Sequence, residues 1–133
     1  MWSPLGLVQG ITEYGMVDTS PLRKFLTNFF KSHGEEYKRK VAFSAVNAAD
    51  GNYEIFDESL GLNDKVNAVM SSAAIPFAFP SQHWEFEGSN LVAMDGGSVW
   101  NINLASAVQR CQEIVGEDES KITIDILDCG TSK

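Results

Sequence analysis

The sequence predicts an α/β protein, with a mixed sheet lying between helices. One observation is a set of amphipathic stretches with apolar residues three and four positions apart. Another is a set of shorter runs rich in β-branched residues, of which 41–46 and 122–127 are the clearest. A chain of 133 residues is long enough for one domain with its own core and short for two. We therefore expect a single domain over residues 1–133.

The first clear element is an amphipathic helix over residues 19–34, after a stretch predicted as a short helix or loop over 1–19. Ser20 is the predicted N-cap, Pro21 the first helical residue and Gly34 the stop. Its apolar residues form one stripe, which we assign to core packing. The stripe consists of Leu22, Phe25, Leu26, Phe29 and Phe30.

A hairpin is predicted next, from strands at 39–48 and 52–57. Asp50-Gly51 lies between them, and such a pair favours a two-residue turn in which both residues take a positive φ. A helix over 62–74 follows and ends before Pro76. Its apolar residues at helical spacing are Val66, Val69, Met70, Ala73 and Ala74.

The last third of the chain predicts a second hairpin, a helix and a strand. Residues 83–87 and 90–94 pair across Gly88-Ser89, and Asp95-Gly96-Gly97 follows directly. The next helix runs to Gly116, with Asn101 and Asn103 as turn and N-cap residues. Its apolar face carries Leu104, Val108, Cys111 and Val115. Residues 121–128 predict a closing strand.

Charge and composition exclude some classes of partner. The formal net charge is −8 and the pI about 4.6, which argues against nucleic acid and gives no attraction to an anionic membrane surface. No apolar run approaches the about 20 residues of a membrane span, and no signal peptide is visible. Cys111 and Cys129 form no CxxC pair, so we expect free thiols and a cytoplasmic location.

The candidate functional residue is Asp95, because an acidic residue here ends an apolar strand and precedes two glycines. Gly96 and Gly97 would let the backbone turn sharply and let another group approach closely. Open α/β sheets bind ligands beyond the carboxyl ends of their strands. The alternative is a plain turn, because Asp and Gly are common in turns.

Four separated segments together resemble the patatin-like phospholipase family, in its order and at its approximate spacing. They are 18–26 "DTSPLRKFL", 41–51 "VAFSAVNAADG", 68–80 "AVMSSAAIPFAFP" and 92–103 "VAMDGGSVWNIN". The likeness covers nearly the whole chain and corresponds to the second half of a patatin domain. It implies part of an α/β/α sandwich and a lipid acyl hydrolase with a serine–aspartate dyad and no cofactor. Asp95 would be the dyad's general base, with Gly96 and Gly97 completing its motif.

The serine of that dyad has no counterpart in this sequence. No G-x-S-x-G turn or glycine-rich oxyanion loop occurs in the 133 residues. Nothing in the sequence places the candidate serines on the strained strand-to-helix turn that a nucleophile needs. These serines are Ser3, Ser71, Ser72 and Ser98. We expect the missing segment to lie upstream, leaving an incomplete domain whose uncovered apolar faces promote self-association.

Aromatic residues cluster in sequence around Asp95, and two interpretations remain open for them. The first is core packing. The second is an apolar lining for the acyl chain of a lipid substrate. The residues of this second interpretation are Phe77, Phe79, Trp84 and Trp100.

Three functions follow from these patterns. The first is hydrolysis of acyl esters of phospholipids or other lipids, with transient contact to a membrane surface. The second is an inactive fragment, pseudoenzyme or interaction module with the same fold. The third is a metal or phosphate site at Asp95, which lacks a second acidic motif at suitable spacing. His33 and His83 also lack metal-ligand spacing.

Overall fold

The computed structural model describes residues 16–34 and 36–127. These residues form three helices and a four-stranded sheet. The helices are α1 (Ser20–His33), α2 (Leu62–Ser72) and α3 (Leu104–Val115). The strands are β1 (Ala42–Asn47), β2 (Tyr53–Asp57), β3 (Gln82–Phe86) and β4 (Ser89–Asp95). Short 3₁₀ turns lie at Gly96–Ser98 and Glu119–Lys121.

The sheet has the order β2-β1-β4-β3, and every pairing in it is antiparallel. The predicted α/β class is therefore confirmed, whereas the prediction of a mixed sheet is wrong for the described residues. The reason is the connectivity. β1–β2 and β3–β4 are hairpins, which reverse the chain, and β4 returns beside β1 in the opposite direction.

Both predicted hairpins form, but the tight turn lies in the second one, one residue before the predicted Gly88-Ser89. Glu87 and Gly88 have φ of 50° and 77° and form a two-residue loop between Phe86 and Ser89. The first hairpin has a five-residue loop, 48–52, in which only Gly51 takes a positive φ, 79°. The prediction of a two-residue turn at Asp50-Gly51 is therefore wrong.

Helix α1 runs from Ser20 to His33, and Gly34, whose φ is 94°, is its C-cap. Thr19 is the N-cap and Ser20 the first helical residue, so the predicted start, with Ser20 as N-cap and Pro21 as first helical residue, is wrong by one position. The prediction that its whole apolar stripe packs in the core is wrong. Phe30 is buried and Leu26 packs beside it, whereas Phe25 and Phe29 are 62% and 43% exposed. Leu22 is also exposed. The reason is that α1 packs on α2, and a contact between two helices buries a narrower stripe than the sequence offers.

Helix α2 covers one face of the sheet. Side chains alternate between faces along a strand, so this face carries Ala45, Phe56, Leu91 and Ala93, all buried. Ala68 of α2 is fully buried against them. Val66 and Met70 of α2 pack with Phe30 of α1 in a second cluster. Helix α1 therefore packs on the side of α2 that faces away from the sheet. Helix α3 contacts β1 and forms ion pairs with the end of β2.

The predicted closing strand does not form among residues 122–127, which lie beyond α3 without strand pairing. Alternating apolar residues favour a strand, but a strand also needs a neighbour with which to exchange backbone hydrogen bonds. The predictions for residues 1–15, including Ser3, and for Cys129 lie outside the described residues. Cys111 is a free, partly buried thiol on α3.

Candidate functional site

Asp95 is the last residue of β4, an interior strand of the sheet. It pairs with Ala45 of β1, and its backbone N–H donates to the carbonyl oxygen of Ala74, just beyond α2, at 3.0 Å. Strand β1, the loop after α2 and the Asp-Gly-Gly turn therefore meet at one point. These are three of the four segments that carry the family resemblance.

Position 96 has no space for a side chain, so it needs glycine. A Cβ at this position would lie 2.8 Å from the carbonyl oxygen of Ser44 and 2.9 Å from its carbonyl carbon and Oγ. Neither Gly96 nor Gly97 has a positive φ. The prediction that another group approaches the glycines closely is therefore confirmed for Gly96, where the group is Ser44. The turn itself needs no backbone conformation that only glycine adopts.

The carboxylate of Asp95 caps the 3₁₀ turn that follows it. Its Oδ1 accepts a hydrogen bond from the N–H of Gly97 at 2.7 Å, and the residue is half-buried. The same contact, from a side-chain oxygen to the N–H two residues on, occurs at Asp18 with Ser20, at Asp50 with Asn52 and at Asp57 with Ser59. The turn interpretation is therefore correct for the local geometry. The position of Asp95, at the junction of three segments, distinguishes it from the other three.

Gly97 leaves room beside this carboxylate. A Cβ on Gly97 would lie 3.1 Å from Oδ1 of Asp95 and 3.3 Å from Oδ1 of Asn101. Any larger residue would press on the two side chains that flank the turn. A side chain at Gly97 would thus displace the carboxylate, whereas a side chain at Gly96 would push the turn away from β1.

The general argument for a site at the carboxyl edge of a sheet does not apply to Asp95. That rule concerns parallel strands, whose carboxyl ends all lie at the same edge. In the described sheet the neighbours of β4 run antiparallel to it. The case for a site at Asp95 therefore depends on its contacts and on the family resemblance, not on strand direction.

The four aromatic residues proposed as an acyl lining have different surroundings. Trp84 packs with Phe56 in the core, at 5.3 Å between ring centroids, and its Nε1–H donates to the Oγ of Ser71. Trp100 is exposed and contacts the ring of Tyr53, which lies on the opposite face of the sheet. Trp84 therefore takes the core-packing role that the sequence left open.

Phe77 and Phe79 lie in the loop that begins at Ala74, beside Asp95. Phe79 lines a small apolar cavity of about 60 Å³ between this loop and α1. Phe77 is 55% exposed and has a φ of 69°, which bulky residues rarely adopt. Of the four aromatic residues, these two therefore belong to the loop that contacts Asp95.

The candidate serines differ in access. Ser71 is fully buried and accepts the hydrogen bond from Trp84, which makes it unsuitable as a nucleophile. Ser72 is partly buried and Ser98 is exposed. Sequence reasoning overlooked Ser44, which lies under Gly96 and accepts a hydrogen bond from the hydroxyl of Tyr53 at 2.7 Å. No local signal marks Ser44, because it lies within an apolar strand.

A separate cluster of charges joins α3 to the hairpin of β1 and β2. Arg110 forms ion pairs with Asp57, Glu58 and Glu113, and Lys40 pairs with Glu113 at 2.6 Å. The pKa of Glu58 is lowered to about 2, because its carboxylate accepts backbone N–H bonds, its own and that of Val41, and pairs with Arg110. This cluster borders a cavity of about 770 Å³ that is lined by α3 and by residues 37–42. Asp95 does not line this cavity.

The comparisons with known proteins add no relative. No protein-family model, no curated protein and no solved structure matches the chain. Among residues 16–34 and 36–127, no group of three or more His, Cys, Asp or Glu side chains could hold a metal ion. Within the same residues, no helix combines the length and the apolarity needed to cross a membrane.

Proposed function

We propose that this chain belongs to a lipid acyl hydrolase of the patatin-like type and carries its general base, Asp95. One observation supports this most directly. Asp95 donates its backbone N–H to Ala74, while the adjacent Gly96 packs without a side chain on Ser44. Segments that resemble the family in sequence thus contact one another in space, around the residue that the resemblance assigns to catalysis.

The proposed reaction needs a serine that the 133 residues do not provide in a G-x-S-x-G turn. The carboxylate of Asp95 takes the proton of this serine hydroxyl as the serine oxygen attacks the ester carbonyl. The same proton then passes from Asp95 to the oxygen of the departing group, which leaves as the alcohol. Water then attacks the acyl-enzyme, giving the fatty acid and restoring the serine. A single carboxylate is a weak base, so oxyanion stabilisation must supply much of the rate.

We propose that the described sheet and the helices on one of its faces form part of an α/β/α sandwich. Helices α2 and α1 form the layer on that face. The second face carries exposed apolar side chains, including Ile55 and Trp100. We propose that further chain from the same protein covers these residues in the complete domain.

The test compares two proteins on a short-chain p-nitrophenyl ester. One is the 133-residue chain and the other is the same chain extended upstream in its gene. We expect hydrolysis by the extended protein, unaffected by EDTA. Asp95→Asn should lower that rate by about 10²- to 10⁴-fold, the usual contribution of a general base. The amide oxygen of Asn can still accept the hydrogen bond from Gly97, so the turn is retained.

Asp50→Asn is the matched control, because Asp50 makes the same turn contact, with Asn52 at 2.9 Å, in an exposed hairpin loop. It should leave hydrolysis unchanged. Equal activity of the Asp95→Asn and Asp50→Asn proteins would contradict the assignment of Asp95. An extended protein that contains no G-x-S-x-G turn and hydrolyses no ester would favour the alternative, a non-catalytic module of the same fold.

A further inference from the structure

The cavity of about 770 Å³ lies between α3 and residues 37–42, the segment that leads into β1. One wall of it is a single face of α3 and its N-cap, because the wall residues recur three or four positions apart. They are Asn103, Ala107, Arg110, Cys111 and Ile114. A volume of this size is typical of sites for small molecules. The cavity therefore deserves a functional interpretation separate from that of Asp95.

The apolar part of this wall is poorly covered by the rest of the fold. Ser106 is the only buried residue of α3. Ile114 is 70% exposed, Ala107 is exposed as well, and Cys111 is half-buried. An apolar group that entered the cavity would shield these three side chains from water, which is favourable.

The charge of the cavity lining is opposite to that of the whole chain. Four of the ten Lys and Arg residues line the cavity, against one of the eighteen Asp and Glu residues, Glu58. The four cations are Lys38, Arg39, Lys40 and Arg110. A cleft lined by one sign of charge attracts ions of the other sign, and salt screens more distant charges beyond about 8 Å. The lining therefore favours an anion, although the chain as a whole is acidic.

Part of this positive charge is already paired and part is not. Lys40 and the terminal nitrogens of Arg110 pair with the three carboxylates of the charge cluster. Lys38 and Arg39 form no ion pair with any residue that the structure describes. Nε of Arg110 is buried and has no hydrogen-bond partner among the described residues. A buried N–H without an acceptor is unfavourable, and the oxygen of a bound anion would satisfy it.

We propose that this cavity binds a small anionic amphiphile, a molecule with one carboxylate or phosphate group and a short apolar chain. The anionic group contacts Lys38, Arg39 and the Nε–H of Arg110, and the apolar chain lies along the exposed wall of α3. Ammonium and guanidinium groups form strong, charge-assisted hydrogen bonds with carboxylate and phosphate oxygens. A purely apolar ligand would leave the unpaired cations without an anion, and inorganic phosphate would leave the apolar wall in water.

This inference goes beyond the proposed function and does not depend on it. Asp95 does not line the cavity, so Asp95→Asn should leave binding of the amphiphile unchanged. Binding is measured on the 133-residue chain, without any ester. A failure of ester hydrolysis and a failure of ligand binding are therefore separate results.

The experiment is isothermal titration calorimetry with octyl phosphate and with octanoate, each below the concentration at which it forms micelles. We expect saturable binding of one molecule, and the tighter probe identifies the anionic group. Octanol has the chain without the charge, and inorganic phosphate has the charge without the chain. Each should bind at least about tenfold more weakly than the tighter amphiphile. Failure of both amphiphiles to bind would overturn the proposal, as would equally tight binding of octanol or inorganic phosphate.

The unpaired cations are tested with Lys38→Gln and Arg39→Gln together. This double variant should weaken binding by about tenfold, because both charges that the anion contacts at the surface are lost. Lys24→Gln with Lys31→Gln is the matched control, since it removes the same charge from exposed positions on α1 that do not line the cavity. It should leave binding unchanged. Equal weakening in the two double variants would mean that only the net charge matters, and would overturn the proposal.

The position of the ligand is tested at the wall of α3. Ala107→Phe places a ring in the cavity without changing the charge and should abolish binding, and Ala107 is exposed, so the fold should tolerate it. Ile114→Ser removes an exposed apolar side chain from the same wall and should weaken binding by about threefold or more. Circular dichroism verifies that every variant is folded. Undiminished binding in both variants would put the ligand outside the cavity and overturn the proposal.

Discussion

The two faces of the sheet differ sharply, and adjacent residues of β2 show the contrast. Phe56 is 1% exposed on the face that α2 covers, whereas Ile55 is 44% exposed on the other face. The covered face is built from elements close in sequence, because α2 lies between the two hairpins along the chain. The described residues cover the second face only in part. A hydrophobic core on one side of a sheet therefore does not imply one on the other.

The largest expected effect tests this contrast directly. Phe56→Ala should destabilise the protein by about 3–5 kcal/mol, because it removes a buried ring and leaves a cavity among Trp84, Phe86 and Ala68. Ile55→Ala, one residue earlier, should cost less than about 1 kcal/mol. Urea unfolding of both variants measures the difference in free energy of unfolding.

Similar losses in the two variants would show that Ile55 is covered in solution. Self-association of the 133-residue chain through the second face is the first cause to test. Sedimentation of the Ile55→Ala protein at several concentrations would show whether the covering partner is another copy.

Local signals predicted much of this fold. Gly34 and Gly116 are the C-caps of α1 and α3, and the helix ends were predicted to within about two residues. Helix α2 ends at Ser72, before the predicted end at Ala74 and well before Pro76. The direction of strand pairing and the exposure of Phe25 and Phe29 depend on which elements meet, and no short stretch encodes this. The strand pattern of 122–127 failed for the same reason, since pairing needs a partner.

An intermediate effect is expected where the chain passes from β4 to the turn at Asp95. Gly96→Ala should destabilise the protein by about 1–3 kcal/mol, because the new methyl group meets the backbone of Ser44 at 2.8 Å, and backbone cannot rotate away. Gly97→Ala meets side-chain oxygens instead, those of Asp95 and Asn101, and these can move. Thermal unfolding should separate the two variants, and equal melting temperatures would contradict this packing.

The candidate site was predictable in part. Asp95 at a strand end and the need for a small Gly96 follow from the sequence pattern and are observed. The contacts of Asp95 with Ala74 and of Gly96 with Ser44 are not predictable in this way, because tertiary packing joins residues that are far apart in the sequence. The Asx turn at Asp95 carries little information alone, since Asp50 and Asp57 form the same turn.

The smallest effect concerns the ion pairs that attach α3 to the hairpin. The pKa of Glu58 is lowered to about 2 from an ordinary value of 4.5, so its charged form is favoured in the folded protein. Its stabilising contribution is complete above the ordinary value and is lost as the pH falls towards 2. Glu58→Gln should therefore cost about 1 kcal/mol or less at pH 6, with the difference from wild type narrowing at pH 3. Urea unfolding at both pH values measures this, with Glu54→Gln as the control for removing a charge from the same hairpin. A difference that stays constant between pH 6 and pH 3 would mean that α3 is held by packing and not by the charge of Glu58.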